Sequence, residues 1–372
     1  MIEIKEVNNK KDLKAFVTFP FSLYKDSKYW VPPIISDEMA TLSAGKNPAI
    51  ENADVHLFLA YKENRIVGRV AAIINWIEVK EQQIPKMRFG WFDTIDDLEV
   101  SKILLDRVAE IGKANNLEYI EGPVGFSNLD KNGALTEGFD HIGTMATWYN
   151  HPYYIEHFKK LGLKEEKQYL ESKFYFDNAP VERFKRVNEL IVKRYKLRAG
   201  SYTKSKEIIP HLDDMFALFN RSYSKLSTFV PISGKQQEYL KKKFINFINP
   251  EYIKFVFDEH DNMIAFAIVL PSFSKALQEV KGKLFPFGFL KLLKAKKHSK
   301  TALFYLIGVD PQYHNKGVTA IIFEEFHKSL SKSGIQTCIR LPELADNLAS
   351  QQIWKDFNAE VIKRRATFKK ML

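Results

Sequence analysis

The sequence predicts an α/β (α+β) protein of two similar domains, each a mixed, mostly antiparallel central sheet flanked by helices. Three observations lead there. The chain has 372 residues, more than the roughly 250–300 that one hydrophobic core accommodates. Hydrophobic residues make up 45% and charged residues 27%, an ordinary globular composition with enough apolar material for two cores. The order of apolar segments in the first half also recurs in the second.

The recurrence begins with a hairpin. HLFLAY (56–61) and IVGRVAAIINW (66–76) are β-branched and aromatic runs joined by a short polar turn at Lys62–Arg65. YIKFVFD (252–258) and IAFAIVL (264–270), joined through EHDNM, have the same make. Each hairpin leads to strand, helix and strand. In the first half these are MRFGWFD (87–93), a helix over about 96–115 and EYIEGP (118–123). In the second they are ALFYLIGV (302–309), a helix over about 316–333 and QTCIRL (336–341). Val100, Ile103, Leu104, Val108 and Ile111 share one helical face, and Val318, Ile321, Ile322, Phe326 and Leu330 share the other. A constant offset of 218 residues superposes the two helices. FKKLGLKEEKQYLESKF (158–174) and WKDFNAEVIKRRATFKK (354–370) then end the halves alike, with a helix end, a turn and a closing strand.

The expected boundaries are a first domain over 1–176, a linker helix and first strand of the second domain over 177–204, and a second domain over 205–372. Asn178-Ala179-Pro180 supplies the capping residue and early proline that start the linker helix, which runs to about Tyr195. Two insertions break the symmetry: a long Gly-containing loop over 124–149, and PSFSKALQEVKGKLFPFGFLKLLKAKKHSK over 271–300.

Charge is uneven. Residues 1–180 hold 22 Lys+Arg and 27 Asp+Glu, a net of −5; the rest hold 34 and 18, a net of +16. A basic half suits a polyanionic partner such as a phosphorylated cofactor, a membrane surface or nucleic acid. The basic residues lack regular aromatic interleaving and no nucleic-acid module is present, so a specific nucleic-acid partner is not expected. Cys338 is the single cysteine, which excludes an internal disulfide or a cysteine-based zinc cluster, and its place inside a strand reads as core. The His residues show no metal spacing. The polar start MIEIKEVNNKKDLK does not read as a secretory signal, and no membrane span is expected; the cytoplasm is the expected compartment.

The most informative segment is ALFYLIGVDPQYHNKGVTAIIFEEF (302–326). A buried strand turns at Asp310-Pro311, passes through the polar loop QYHNKG and opens an amphipathic helix. That geometry aims several backbone N–H groups and the positive helix end at one point, an anion site. Gly317 lets the backbone approach closely and Lys316 adds charge. The first half is an internal control: at the same offset Asp96-Asp97-Leu98-Glu99 replaces His314-Asn315-Lys316-Gly317. Those carboxylates cap a helix well and repel a diphosphate.

Val309, Pro311, Tyr313, Lys316 and Gly317 resemble the phosphate-loop signature of the GNAT superfamily of acyl-CoA N-acyltransferases, Val-x-Pro-x-Tyr followed by Gln/Arg-x-x-Gly-x-Gly/Ala. His314 departs from the usual Arg or Gln, and Thr319 from the usual Gly or Ala. The resemblance implies two GNAT-like halves, with the second binding acetyl-CoA or a longer acyl-CoA and the first degenerate. It implies direct attack by a small-molecule amine acceptor on the thioester. Ile307, Gly308 and Val309 match the strand that supplies the oxyanion donor, while His314, Asn315, Lys316, Gly317, Val318, Thr319 and Asn347 match cofactor-contacting positions.

Glu343, just after the strand QTCIRLP, is the first candidate for general base. The family's acidic Tyr falls on Trp354, which cannot serve; Tyr305 and Tyr313 are the substitutes, with packing as the competing account of each. An alternative function is a non-catalytic acyl-CoA or small-molecule binding protein with this fold. Residues 281–300 hold seven Lys, no acids, and Leu284, Phe285, Phe287, Phe289, Leu290, Leu292 and Leu293. Three readings stay open for them: a cover over an acyl chain, a peripheral contact with an anionic membrane, or a packed helix with a Lys-rich outer face.

Overall fold

The computed structural model describes residues 1–127, 129–244 and 248–372. From the start of the chain, β1 (Ile2–Glu6) leads into helices α1 (Lys10–Leu23) and α2 (Ile35–Thr41). Strands β2 (Ala53–Lys62), β3 (Arg65–Asn75) and β4 (Lys86–Thr94) follow, then α3 (Leu98–Ala114) and β5 (Tyr119–Gly122). The half closes with β6 (Ala134–Glu137), α4 (Tyr153–Lys160) and β7 (Lys164–Tyr175). Helix α5 (Val181–Tyr195) links to β8 (Arg198–Ser201) and to α6 (Ser205–Ile208), α7 (Leu212–Tyr223) and α8 (Gly234–Phe244). Then come β9 (Ile253–Phe257), β10 (Met263–Pro271), α9 (Ser274–Val280), α10 (Gly288–His298) and β11 (Thr301–Val309). The chain ends with α11 (Thr319–Lys332), β12 (Thr337–Leu344), α12 (Leu348–Trp354) and β13 (Glu360–Met371).

Both expected hairpins form, β2–β3 and β9–β10. Glu63 and Asn64 both take positive φ in the first turn, the conformation that joins twisted strands through two residues. The expected loop over 124–149 is interrupted by β6, which pairs with β13. The insertion at 271–300 folds as α9 and α10.

One sheet of 13 strands runs through the molecule in the order β1-β2-β3-β4-β5-β13-β7-β12-β11-β10-β9-β8, with β6 beside β13. Its two central strands are exchanged between the halves. β13, from the end of the chain, inserts between β5 and β7, and β7 lies between β13 and β12. The two parallel pairs are β4–β5 and β11–β12, each spanned by a crossover helix, α3 or α11. The exchanged strands are fastened by Glu171, which is fully buried and pairs with Arg365 and, at 3.5 Å, with Lys363. Arg365 also donates to the Trp148 carbonyl at 2.7 Å.

Strand alternation feeds two cores in each half. In β3, Val70, Ala72 and Ile74 face the core under α3 and α4, whereas Ala71 and Ile73 face the core under α1. In β10, Ala265, Ala267 and Val269 face α11 and α5, whereas Phe266, Ile268 and Leu270 face α7. The predicted face of α11 is buried throughout, and so is that of α3 apart from the half-buried Ile103.

The constant offset of 218 residues does not hold across the loops. Residues 95–97 join β4 to α3, whereas residues 310–318 join β11 to α11. The second half therefore has the longer loop, and α11 begins at Thr319 rather than near Lys316. The Asp310-Pro311 turn and the left-handed residues after it delay the helix.

Candidate functional site

The loop after β11 first makes a single 3-10 turn, Pro311–Tyr313, capped by the Asp310 carboxylate on the Gln312 amide at 3.0 Å. Asn315 (φ 60°) and Gly317 (φ 77°) then adopt left-handed conformations. His314 folds back and its Nε2 lies 3.1 Å from the Val309 carbonyl. Lys316 Nζ sits 4.8 Å from the Tyr313 ring centre and 5.3 Å from that of Tyr195. The first α11 bonds run from the Ala320 amide to the Gly317 carbonyl and from the Ile321 amide to the Val318 carbonyl. No acceptor among the described residues takes the amides of Asn315, Gly317, Val318 or Thr319. Four unpartnered donors thus lie beside one lysine at the start of a 14-residue helix. Free amides at a helix start are the kind of group that can bind an anion.

A second feature leads away from that loop. β11 and β12 pair only from Thr301–Phe304 against Thr337–Arg340. Beyond them the strands part and leave a wedge-shaped opening. At its apex Tyr305 is an extra, bulged residue against β10, since Leu306 pairs with Ile268 and Phe304 with Val269. Such a bulge re-aims the side chain and the neighbouring amides. Gly308 is buried against Phe266, where a Cβ would lie 2.2 Å from the ring. Tyr223 donates to the Ile307 carbonyl at 3.1 Å, and burial pushes its phenol up to about 12.

Tyr305 also lines a cavity of about 180 Å³ between the two halves. Its other walls are Asp37, Glu38 and Thr41 of α2, Trp91 of β4, Ser127, Asp130 and Lys131, and Gln236, Tyr239 and Lys243 of α8. Leu270, Leu277, Ile34, Met145 and Ala146 supply an apolar side. The Tyr305 hydroxyl donates to the Leu129 carbonyl at 3.2 Å, and burial holds the phenol well above its usual range. Asp130 accepts the Ser127 amide at 2.8 Å and the Ser127 hydroxyl at 3.1 Å. Burial raises its carboxyl above the ordinary value even against these donors. Burial also pushes Glu38 upward, but Lys131, the Trp91 indole N–H and Arg69 outweigh it, and the net shift is down. The cavity therefore holds three carboxylates: Glu38, favoured in its charged form, and Asp37 and Asp130, both made more basic by burial.

The two catalytic candidates from the sequence lie in different places. Tyr305 is on the cavity wall. Glu343, on β12, does not line it; Arg340 and the Ser350 hydroxyl engage its carboxylate. Asn347 caps α12, accepting the Ser350 amide at 3.2 Å. Trp354, where the resemblance places a Tyr, is buried against Phe174, Phe304, Phe323 and Phe357, with the Arg340 guanidinium 4.9 Å from its ring. Cys338 is buried, which pushes its thiol up to about 12. Asp130 went unnoticed in the sequence because it lies in the long loop. The signal available was its standing as the single acidic residue between Glu121 and Glu137.

The first half has the same strand plan with its openings filled. β4 and β5 pair only over Lys86–Arg88 and Tyr119–Glu121, and β4 is bulged near Trp91, whose φ is 44°. Here α4 closes the gap: the Tyr154 hydroxyl accepts the Thr94 amide at 2.9 Å, and the Tyr153 hydroxyl donates to the Thr94 carbonyl at 2.6 Å. Asp97 caps α3 by accepting the Glu99 amide at 3.0 Å and pairs with Lys62 at 2.9 Å. The helix end that would meet a diphosphate already holds a carboxylate.

Two sheet halves with a splayed parallel pair, a bulge at the apex and a crossover helix behind each define a fold of two GNAT-like halves. The same fold covers the whole chain in solved structures. One is a tandem GNAT protein from the clavulanic acid biosynthesis pathway, 9% identical with a TM-score of 0.59, matched over 98% of its length. Another is a GCN5-related N-acetyltransferase from Sphaerobacter thermophilus, 7% identical with a TM-score of 0.53, matched over 95%. Among curated proteins the chain is similar to Protein YghO of Escherichia coli (strain K12), 26% identical over 375 residues, covering 98% of this chain and 94% of that one. It is also similar to a bacterial ceramide synthase of Caulobacter vibrioides, 26% identical over 325 residues, covering 84% and 81%. No model of a known protein family matches. The likenesses to solved structures show the fold. Among the described residues no helix is long and apolar enough to cross a membrane, and no group of three His, Cys, Asp or Glu could hold a metal ion.

Proposed function

We propose that the protein is an N-acyltransferase that moves an acyl group from acyl-CoA to the amine of a long-chain, lipid-like acceptor. The observation that carries this is the set of unpartnered amides at residues 315 and 317–319 beside Lys316, at the end of a splayed strand that runs back to the cavity. The loop fits a diphosphate. A Cβ on Gly317 would lie 3.1 Å from Val187, so the loop packs closely against α5. Relatives of this fold use acyl-CoA as co-substrate. The ceramide synthase among the relatives supports a lipid amine as acceptor, since ceramide is an amide of a long-chain amino alcohol. The apolar wall of the cavity is compatible with such a chain.

In this reading the Lys316–Thr319 loop binds the diphosphate, and Ile307, Gly308 and Val309 guide the arm of the co-substrate along β11. Backbone N–H groups near the Tyr305 bulge stabilise the oxyanion, a contribution of about 3–4 kcal/mol where one such donor has been removed in other enzymes. An alkyl ammonium with a pKa near 10.4 is only about 0.1% neutral at pH 7.4, so a base is needed. Asp130, buried and more basic than a free aspartate, takes that role, and Tyr305 orients the reacting groups. Glu343, engaged by Arg340 and Ser350, positions β12. The C–N bond forms, the C–S bond breaks, and the proton lost by the amine ends on the coenzyme thiol.

A second reading is binding without turnover, favoured by Trp354 at the position of the family's acidic Tyr. One experiment separates them. The protein is incubated with acetyl-CoA or palmitoyl-CoA and with sphinganine or a short soluble amine, while thiol release and amide mass are followed. Amide formation supports the enzyme. A melting temperature raised by acyl-CoA without turnover supports the binding protein, and no response to any acyl-CoA removes both.

A further inference from the structure

The insertion that forms α9 and α10 is rooted in the molecule but has an apolar crest. At its root, the Gln278 amide donates to the Lys28 and Trp30 carbonyls at 2.9 Å, and the Ser274 hydroxyl donates to the Gly143 carbonyl at 2.8 Å. Leu277 lines the cavity and packs with Leu292, Val31 and Ile34. The crest faces solvent. Phe285 is 82% exposed, Phe287 72%, Leu290 51% and Leu293 50%. Large apolar side chains are ordinarily buried, and a cluster of them in the open marks a contact surface.

The same segment carries seven lysines and no acid over residues 281–300. Lys281, Lys283, Lys294 and Lys297 are exposed around the apolar crest, and Lys291 pairs with Glu279 at 2.9 Å. Aromatic and leucine side chains framed by lysines complement one kind of surface well: an anionic bilayer. The rings enter the acyl boundary while the ammonium groups stay among the headgroup phosphates.

We infer that the α9–α10 hairpin is a membrane-docking element that seats the protein on an anionic lipid surface. The docking surface stands on its own residues. Its further role, delivering a lipid substrate to the cavity through the wall that contains Leu277, rests on the acyl-transfer reading above.

The test uses the full chain and co-sedimentation with phosphatidylcholine vesicles, with and without phosphatidylglycerol. The expected result is binding to the anionic vesicles, reduced at least about tenfold by F285S/F287S/L290S and by K283E/K294E/K297E, and weakened by salt. All six side chains are exposed, so far-UV circular dichroism should be unchanged. Retained thermal shifts with acyl-CoA show separately whether the binding site survives. Failure to bind anionic vesicles overturns the inference, as does binding that neither variant weakens. Conversion of a dimer to a monomer by the apolar variant, without vesicle binding by the parent, assigns the crest to a second copy of the chain and overturns it too.

Discussion

Replacing Gly317 by Ala tests the diphosphate loop most directly. Gly317 has φ of 77°, where an L-residue is disfavoured by about 1–2 kcal/mol. The new Cβ would also lie 3.1 Å from Val187 Cγ1, close enough that the valine must shift slightly. If the loop holds its shape, stability falls by about 1–2 kcal/mol, or a few degrees in Tm. If it relaxes instead, at least one of the amides of residues 317 and 318 turns away. The loss of one hydrogen bond to a charged group, about 1.5–3 kcal/mol, then weakens acyl-CoA binding about ten- to one-hundred-fold. Calorimetric titration with acyl-CoA and a thermal melt together distinguish the outcomes. The informative comparison is Asp97→Ala, which alters the equivalent helix start in the first half. An acyl-CoA affinity for G317A within about twofold of the parent, with Tm also unchanged, would show that the loop relaxes without loss of binding and would falsify the assignment of this loop.

Three further outcomes are expected. Asp130→Asn should lower kcat by about 10²–10⁴ while leaving acyl-CoA affinity intact. Because the folded Asp130 carboxyl is raised, its charge opposes folding above that pKa, so the variant should melt no lower than the parent at neutral pH; a lower Tm would instead mark a structural role. Glu171→Gln should cost about 3–5 kcal/mol by leaving Arg365 and Lys363 buried without their counter-charge, read by urea denaturation. Burial pushes Glu171 upward, yet Arg365 and Lys363 hold it below the usual value. Its stabilisation is therefore present above the unfolded carboxyl pKa and lost as pH falls through the depressed one, a dependence the Gln variant should lack. Asp97→Ala should destabilise the α3 end by about 1 kcal/mol and leave acyl-CoA binding unchanged, by the same titration.

Local features of the fold were legible in the sequence because local physics sets them. Alternation and short polar turns marked both hairpins, and helical spacing marked the buried faces of α3 and α11. The loop at Lys316 and Gly317 was found by its residue types. Its length relative to the first half was not, because the left-handed residues Asn315 and Gly317 delay the helix without disturbing the apolar pattern. The placement of β13 between β5 and β7 could not be read either. Pairing Phe368 with Gly122 joins segments far apart in sequence, and strand patterning does not specify a partner. For the same reason Asp130 and Tyr305, remote in the chain, gave no hint that they share a cavity. Arg340 engages Glu343 from three residues earlier on the same strand, across a bulge that the residue pattern does not mark.

The mutual insertion of β7 and β13 makes the two halves inseparable. A nick between residues 177 and 204 would release no self-sufficient fragment: the first piece would lack the partner for β5, and the second the partner for β12. Each fragment alone would bare two long rows of unsatisfied peptide groups, an invitation to aggregate. Nor can the half whose loop is sealed by Asp97 be trimmed away as a relic, because it is the scaffold on which the other half's sheet is completed.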